Sequence, residues 1–194
     1  VVVPHLASWY FSTVVAGAEA VCNEAGYDFL VTGVGDLQEC ARILDDSYRI
    51  ERRTDGIVLV NIPATDEQAR SLRERGVALS TVGTHVSGAP SVFVDDVGVG
   101  TMAARILVEL GHRRIGLISG SGDDPLNFEV PKLRERGFVD ELESVDITLD
   151  PTLVAGGNFS IDGGQEAMAS LLDPAEPPTA VFAMSDEMAF GALL

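Results

Sequence analysis

Short apolar runs alternate with longer amphipathic stretches along this chain. VVV (1–3), YDFLVT (27–32), DGIVLV (55–60), VALSTV (77–82), SVFV (91–94), RIGLISG (114–120) and TAVFAM (179–184) are rich in Val, Ile and Leu and bounded by Gly, Pro or Asp, the pattern of buried strands. Between them, 12–25, 36–53, 65–75, 98–110, 131–143 and 161–172 carry apolar residues at helical spacing. A last helix is predicted to begin at Ser185, and a weak strand near 152–154. Strand followed by helix, many times over, predicts an α/β fold of parallel sheets covered on both faces, joined by right-handed crossovers.

The rhythm breaks once. Between TVG (81–83) and SVFVDD (91–96) the polar loop THVSGAP joins two strands with no helix, close to the middle of the chain. This predicts that one α/β unit gives way to another there, with residues 1–94 as a first lobe, 95–194 as a second and a crevice between them. Ligands of open parallel sheets bind outside the carboxyl ends of the strands. The segments expected at those ends are HLASWYF (5–11), GVGD (33–36), NIPA (61–64), GTH (83–85), GSGDDPLNF (120–128), GGNF (156–159) and SDEM (185–188). Their Gly, small polar, acidic and aromatic residues suit a polar, flat-faced small molecule better than a phosphate.

The stretch SWYFS (8–12) places the chain's only Trp beside Tyr10 and Phe11 where strand passes into helix. Three adjacent side chains at a helix start cannot all face one core, because successive helical residues point about 100° apart.

Composition narrows the classes. The 194 residues, 46% hydrophobic with nine Pro, suffice for one large core or two modest ones. No apolar run approaches the roughly 20 residues that cross a bilayer, and VVVPHLAS lacks the basic-then-apolar order of an export leader, so a cytoplasmic protein is expected. Thirteen basic against thirty acidic residues leave a net charge of −17, which argues against this segment gripping a phosphate backbone by itself. Cys22 and Cys40 lack metal-ligand spacing and read as buried free thiols of a reducing compartment.

Enzyme and cofactor motifs fail. GVGD, VGVG and GSG lack the dinucleotide spacing, no Gly-Lys-Ser/Thr is present, and Gly-x-Ser-x-Gly does not occur around Ser119 or Ser121. His5, His85 and His112 share no ligand spacing, and His112 follows a helix-ending Gly111, where a donor near the last carbonyls accounts for it. No catalytic residue, metal or cofactor is expected.

DGIVLV (55–60), VDDVGVGTMAARILVELGHRRIGLISG (94–120), KLRERGFVDEL (132–142) and TAVFAMSDEMAFGAL (179–193) resemble, in order and context, the motifs of the lac-repressor family of bacterial transcription regulators. The resemblance spans essentially the whole chain. It implies the two-lobed, periplasmic-binding-protein-like effector core, with a helix-turn-helix and hinge helix expected before Val1 and the rest of the second lobe after residue 194.

The resemblance also suggests site residues. It places Tyr10 and Phe11 where relatives carry aromatics just after the first strand, with Ser8 beside them and Trp9 where many relatives carry Pro. Arg134 matches the arginine that reaches ligand hydroxyls or a carboxylate from the second lobe, and Lys132 and Arg136 flank it. Phe159 matches an aromatic that covers the ligand, and Ser185 and Asp186 follow TAVFAM. Ser185 reads more strongly as a helix N-cap, and Asp186 equally as a crevice contact or, with Glu187, as a complement to the helix dipole. Two departures stand out: Gly83-Thr84 replaces an Asp-Arg pair, and Val99 followed by Gly100 replaces a Gly one position earlier, a change expected to affect packing rather than function.

Implied by the resemblance is a homodimer whose small-molecule effector, a sugar or related polar molecule, shifts the lobes and so changes operator DNA binding through the upstream heads. An exported sugar-binding protein of a transport system and a small α/β enzyme are the competing readings.

Overall fold

The computed structural model describes residues 1–45, 50–120 and 125–194. The chain divides into two compact units, Val1–Val94 with Pro125–Phe128, and Asp95–Asp124 with Glu129–Leu194.

The first unit is a five-stranded, wholly parallel sheet of β1 (Val2–Val3), β2 (Thr32–Gly33), β3 (Gly56–Val60), β4 (Ala78–Val82) and β5 (Ser91–Val92), in the order β2-β1-β3-β4-β5. Alternate strand residues face opposite ways. Val2, Ile57 and Leu59 point into one core with α2 (Leu37–Leu44) and α3 (Asp66–Glu74), while Val3 and Val60 meet α1 (Trp9–Glu24) on the other face. The helices start on local signals. Asp36 accepts from the Glu39 amide at 2.8 Å, and Thr65 with Gln68 closes a reciprocal capping box at the start of α3.

The second unit holds β6 (Ile115–Ser119), β7 (Val154–Gly156) and β8 (Ala180–Ala183), parallel and in the order β7-β6-β8, with α4 (Asp96–Glu109), α5 (Val130–Glu143), α6 (Ile161–Leu172) and α7 (Asp186–Ala192). Leu117, Ile118, Phe138, Leu142, Leu171 and Met188 build its core, and the Phe138 and Phe182 rings lie 5.0 Å apart.

Helix ends repeat one device. In α3 the Val77 amide donates to the Leu72 carbonyl and the Gly76 amide to Arg73, with Gly76 at φ +81. This is the Schellman closure, which needs a left-handed residue and is sealed here by buried Leu72 and Val77. The end of α5 repeats it with Ile147 on Leu142, but Asp146 takes the left-handed position at φ 59. His112 ends α4 in the same way through its amide on the Leu107 carbonyl, and its ring Nδ1 lies 2.9 Å from Thr179 Oγ1.

Several boundaries differ from the sequence expectation. Helix α1 begins at Trp9, so the aromatics form its first turn rather than precede it. Of YDFLVT only Thr32 is in a strand, since β1 is too short to pair with more of it. The predicted helix 36–53 ends at Leu44, a short 3₁₀ turn covers Ile50–Arg52, and residues 46–49 lie outside the described residues. The units divide after Val94, so THVSGAP and the strand beyond it lie in the first unit. Strand β5 beyond it pairs with β4, Thr81 to Ser91, and Thr81 Oγ1 donates to the Thr84 carbonyl at 2.6 Å. The stretch 95–194 is also not one uninterrupted unit, because Leu126 is buried in the first unit's core and Phe128 packs on Phe11. No helix among the described residues is long and apolar enough to cross a membrane.

Cys22 and Cys40 are free, but only Cys40 is fully buried. Burial first, then the nearby Asp36 and Glu39, pushes its thiol up to about 11. A thiol that ionises more readily unfolded than folded lowers stability as pH rises, here from the ordinary 9.0 through about 11. Cys40 is therefore expected to resist alkylation in the folded protein at mildly alkaline pH and to react on unfolding in urea; fast native labelling would contradict its burial. Replacing Asp146 by Gly relieves a left-handed non-glycine residue and should raise stability by about 0.5–1 kcal/mol, read from urea unfolding.

Candidate functional site

In the first sheet the strand order reverses at β1, so the switch point lies between β1 and β3, where doubly wound sheets leave room for a ligand outside the carboxyl strand ends. The segment after β1 runs straight into α1. Helical spacing then sorts its aromatics: Phe11 turns inward, 7% exposed, against Val3 and Val60, while Trp9 and Tyr10 stay 60% and 39% exposed. Phe11 is thus a core residue rather than an open contact surface. Its ring carries Tyr10 edge-on at 5.1 Å and meets His5 and Phe128 at 6.3 and 6.2 Å. Ser8 caps α1 through its backbone, with no side-chain capping bond.

After β3 stands Asn61, which no local signal distinguished from its neighbours in NIPA. It takes φ 51, its amide donates to the Val82 carbonyl at 2.7 Å, and its buried Oδ1 has no hydrogen-bond partner among the described residues. Gly83 at φ +78 lies so close that a Cβ there would sit 1.8 Å from that oxygen. A buried, unpaired amide oxygen is costly and uncommon in a folded protein.

In the second unit the switch point falls between β6 and β8. Four of the expected site residues gather near it. Asn158 and Phe159 both take φ 50 after β7, a conformation that bulky residues rarely adopt. It brings the Phe159 ring against Gly120, at the end of β6, where a Cβ would lie 2.3 Å from the ring and 2.8 Å from Pro131. Strain of this sort persists only where the surroundings impose it, and it concentrates at functional sites.

Arg134 comes from the second turn of α5. Its Nε donates to Asp96 Oδ1 at 2.8 Å, and its Nη1 donates to the Met184 carbonyl at the end of β8. Lys132 and Arg136 lie exposed on the same helix, whereas Arg134 is half-buried. The residue after Met184 is Ser185, whose hydroxyl accepts from the Met188 amide at 3.2 Å and so caps α7. Asp186 follows, exposed in the first turn of α7.

A close helix crossing sets this arrangement. A Cβ on Gly100 would lie 2.0 Å from the Arg134 carbonyl, and one on Gly137 2.0 Å from the Val97 carbonyl. The two helices approach backbone to backbone, Thr101 Oγ1 donates to the Gly137 carbonyl at 3.2 Å, and the start of α4 comes within reach of Arg134. Asp96, the partner of Arg134, lies far from it in sequence and carried no local signal. Residues 121–124 of GSGDDPLNF lie outside the described residues. Among the described residues no group of three metal-ligating side chains forms.

The family model described as periplasmic binding proteins and sugar binding domain of LacI family matches residues 1–194. The chain belongs to this family. Among LacI-family relatives, the transcriptional repressor CytR of Escherichia coli (strain K12) is 32% identical over all of this chain and 56% of its own length. The chain thus spans about half the length of the curated relatives it matches. A solved complex of the transcriptional regulator CelR with cellobiose is 31% identical with a TM-score of 0.75, covering 99% of this chain and 60% of that one. A LacI family regulator from Enterococcus faecium with bound ribose is 27% identical with a TM-score of 0.79, covering 99% and 68%.

Gly100→Ala forces the α4–α5 crossing apart and should cost about 1–3 kcal/mol of stability, measured by thermal unfolding. An unchanged melting temperature would mean that the two backbones have room to spare.

Proposed function

We propose that these 194 residues are the effector-binding core of a transcription regulator, and that the core takes a sugar or a related polar small molecule at the carboxyl ends of its sheet strands. The observation that carries the reading is the gathering of a strained Phe159, a half-buried Arg134 and the end of β8 at the switch point of the second sheet. An aromatic face packs on the C–H face of a sugar, and a guanidinium edge donates two parallel hydrogen bonds to neighbouring oxygens. Tyr10, carried on Phe11, supplies a second apolar face at the switch point of the first sheet, with Ser8 as a hydroxyl next to it. Ser185 acts first as a helix cap, and Asp186 remains the exposed acid beside it.

Relatives named as regulators, and solved relatives with bound sugars, favour this reading over an exported binding protein or an enzyme. In the full protein the effector biases one conformation of a homodimer in the cytoplasm, and operator DNA, gripped by a segment outside these residues, is released or tightened by the same coupling free energy. The strongly acidic core is consistent with DNA contact lying elsewhere.

The test is a calorimetric titration of the full-length protein with a panel of neutral sugars, polyols and nucleosides. At least one should bind, and Tyr10→Ala and Phe159→Ala should each weaken it by about 1–3 kcal/mol while the protein stays folded. That ligand should also change retention of the protein on its own promoter DNA in a gel-shift assay. Unaltered affinity in both variants would remove these residues from the site, and a ligand turned over during the titration would favour an enzyme.

A further inference from the structure

We infer that Asp96 fixes the charge preference of the Arg134 site, so that it accepts neutral hydroxyl-bearing effectors and disfavours their anionic counterparts. The inference rests on the reading of Arg134 as an effector contact. A guanidinium carries five N–H donors and a permanent positive charge. In this chain the charge is already answered: Nε donates to Asp96 Oδ1 at 2.8 Å, and the two side chains are only 21% and 8% exposed. One Nη1 hydrogen goes to the Met184 carbonyl, and among the described residues nothing accepts from Nη2, so the edge formed by Nη2 and the second Nη1 hydrogen is left to donate.

What remains for a ligand is therefore a donating edge on a pair whose net charge is zero. A hydroxyl or ring oxygen meets that edge as an ordinary acceptor. A carboxylate or phosphate meets it too, but it also meets Asp96, whose carboxylate is withdrawn from water and so poorly screened. Asp186, exposed in the first turn of α7 and two residues beyond Met184, adds negative charge just past the same strand end. An arginine with no acidic partner would do the reverse and select the anion. Asp96 is thus a positioning and specificity-determining residue: it aims the guanidinium along its Nε edge and cancels its charge. The α4 cap does not need it, since Asp95 takes the Gly98 amide at 3.0 Å.

Asp96→Asn separates the two roles, because the amide oxygen still accepts from Nε while the charge is gone. The full-length protein and this variant are titrated with matched pairs: glucose and glucuronate, galactose and galacturonate, ribose and its terminal phosphate ester. For any pair that binds, the unaltered protein should prefer the neutral member by about tenfold or more, and D96N should shrink that preference by roughly tenfold. An anionic member bound as tightly as its neutral partner by the unaltered protein overturns the inference without D96N being needed. An unchanged ratio in D96N that melts cooperatively overturns it as well, and leaves Asp96 a structural partner only. Should no member of these pairs, nor any neutral ligand of the wider panel, bind the unaltered protein, the effector-binding reading itself fails and takes this inference with it.

Discussion

Two helices can bring their backbones into contact only where neither carries a Cβ at the crossing. Gly100 on α4 and Gly137 on α5 meet that condition reciprocally, each facing a carbonyl of the other helix at a distance no side chain would tolerate. The rest of the second unit's site depends on this approach. It brings the first turn of α4, with Asp96, alongside Arg134 on α5, and it lets Arg134 extend to the carbonyl that closes β8. A buried carboxylate left unpaired would be strongly destabilising, so the crossing and the ion pair support each other.

The same economy recurs in α6 and α7, where Gly164 lies against the Met188 carbonyl and Gly191 against that of Ile161. Tight crossings on both sides leave the strand ends well fixed, and the irregular backbone concentrates in the connections. Phe159 is held left-handed over Gly120, and Asn61 is held left-handed under Gly83. Both stand after a strand's carboxyl end, one in each sheet.

In the first unit the aromatic triplet divides its labour by helical geometry. One ring, Phe11, is driven into the core between Val3 and Val60, and it becomes the platform that carries Tyr10. The turn of the helix, about 100° per residue, leaves Trp9 and Tyr10 turned away from that core.

The parallel α/β architecture, most strands and helices, and the family itself were legible in the sequence, because apolar periodicity and capping residues are local properties. Val58 and Val60 alternating with Ile57 and Leu59 already encode a strand with two buried faces. Membership rests on runs such as GHRRIGLISG, whose order along the chain carries the information. The resemblance also suggested Arg134, Phe159 and Tyr10 as contacts, although only Arg134 lies inside one of the matching runs. The sequence did not show that Phe11 would be withdrawn or that 125–128 would pack with the first unit. Nor did it show that Asn61 would be strained and unpaired, or that Asp96 would neutralise Arg134. Each of these depends on which residues meet across long stretches of chain, and contacts of that kind are decided by the packing of helices and sheets, not by neighbours in sequence.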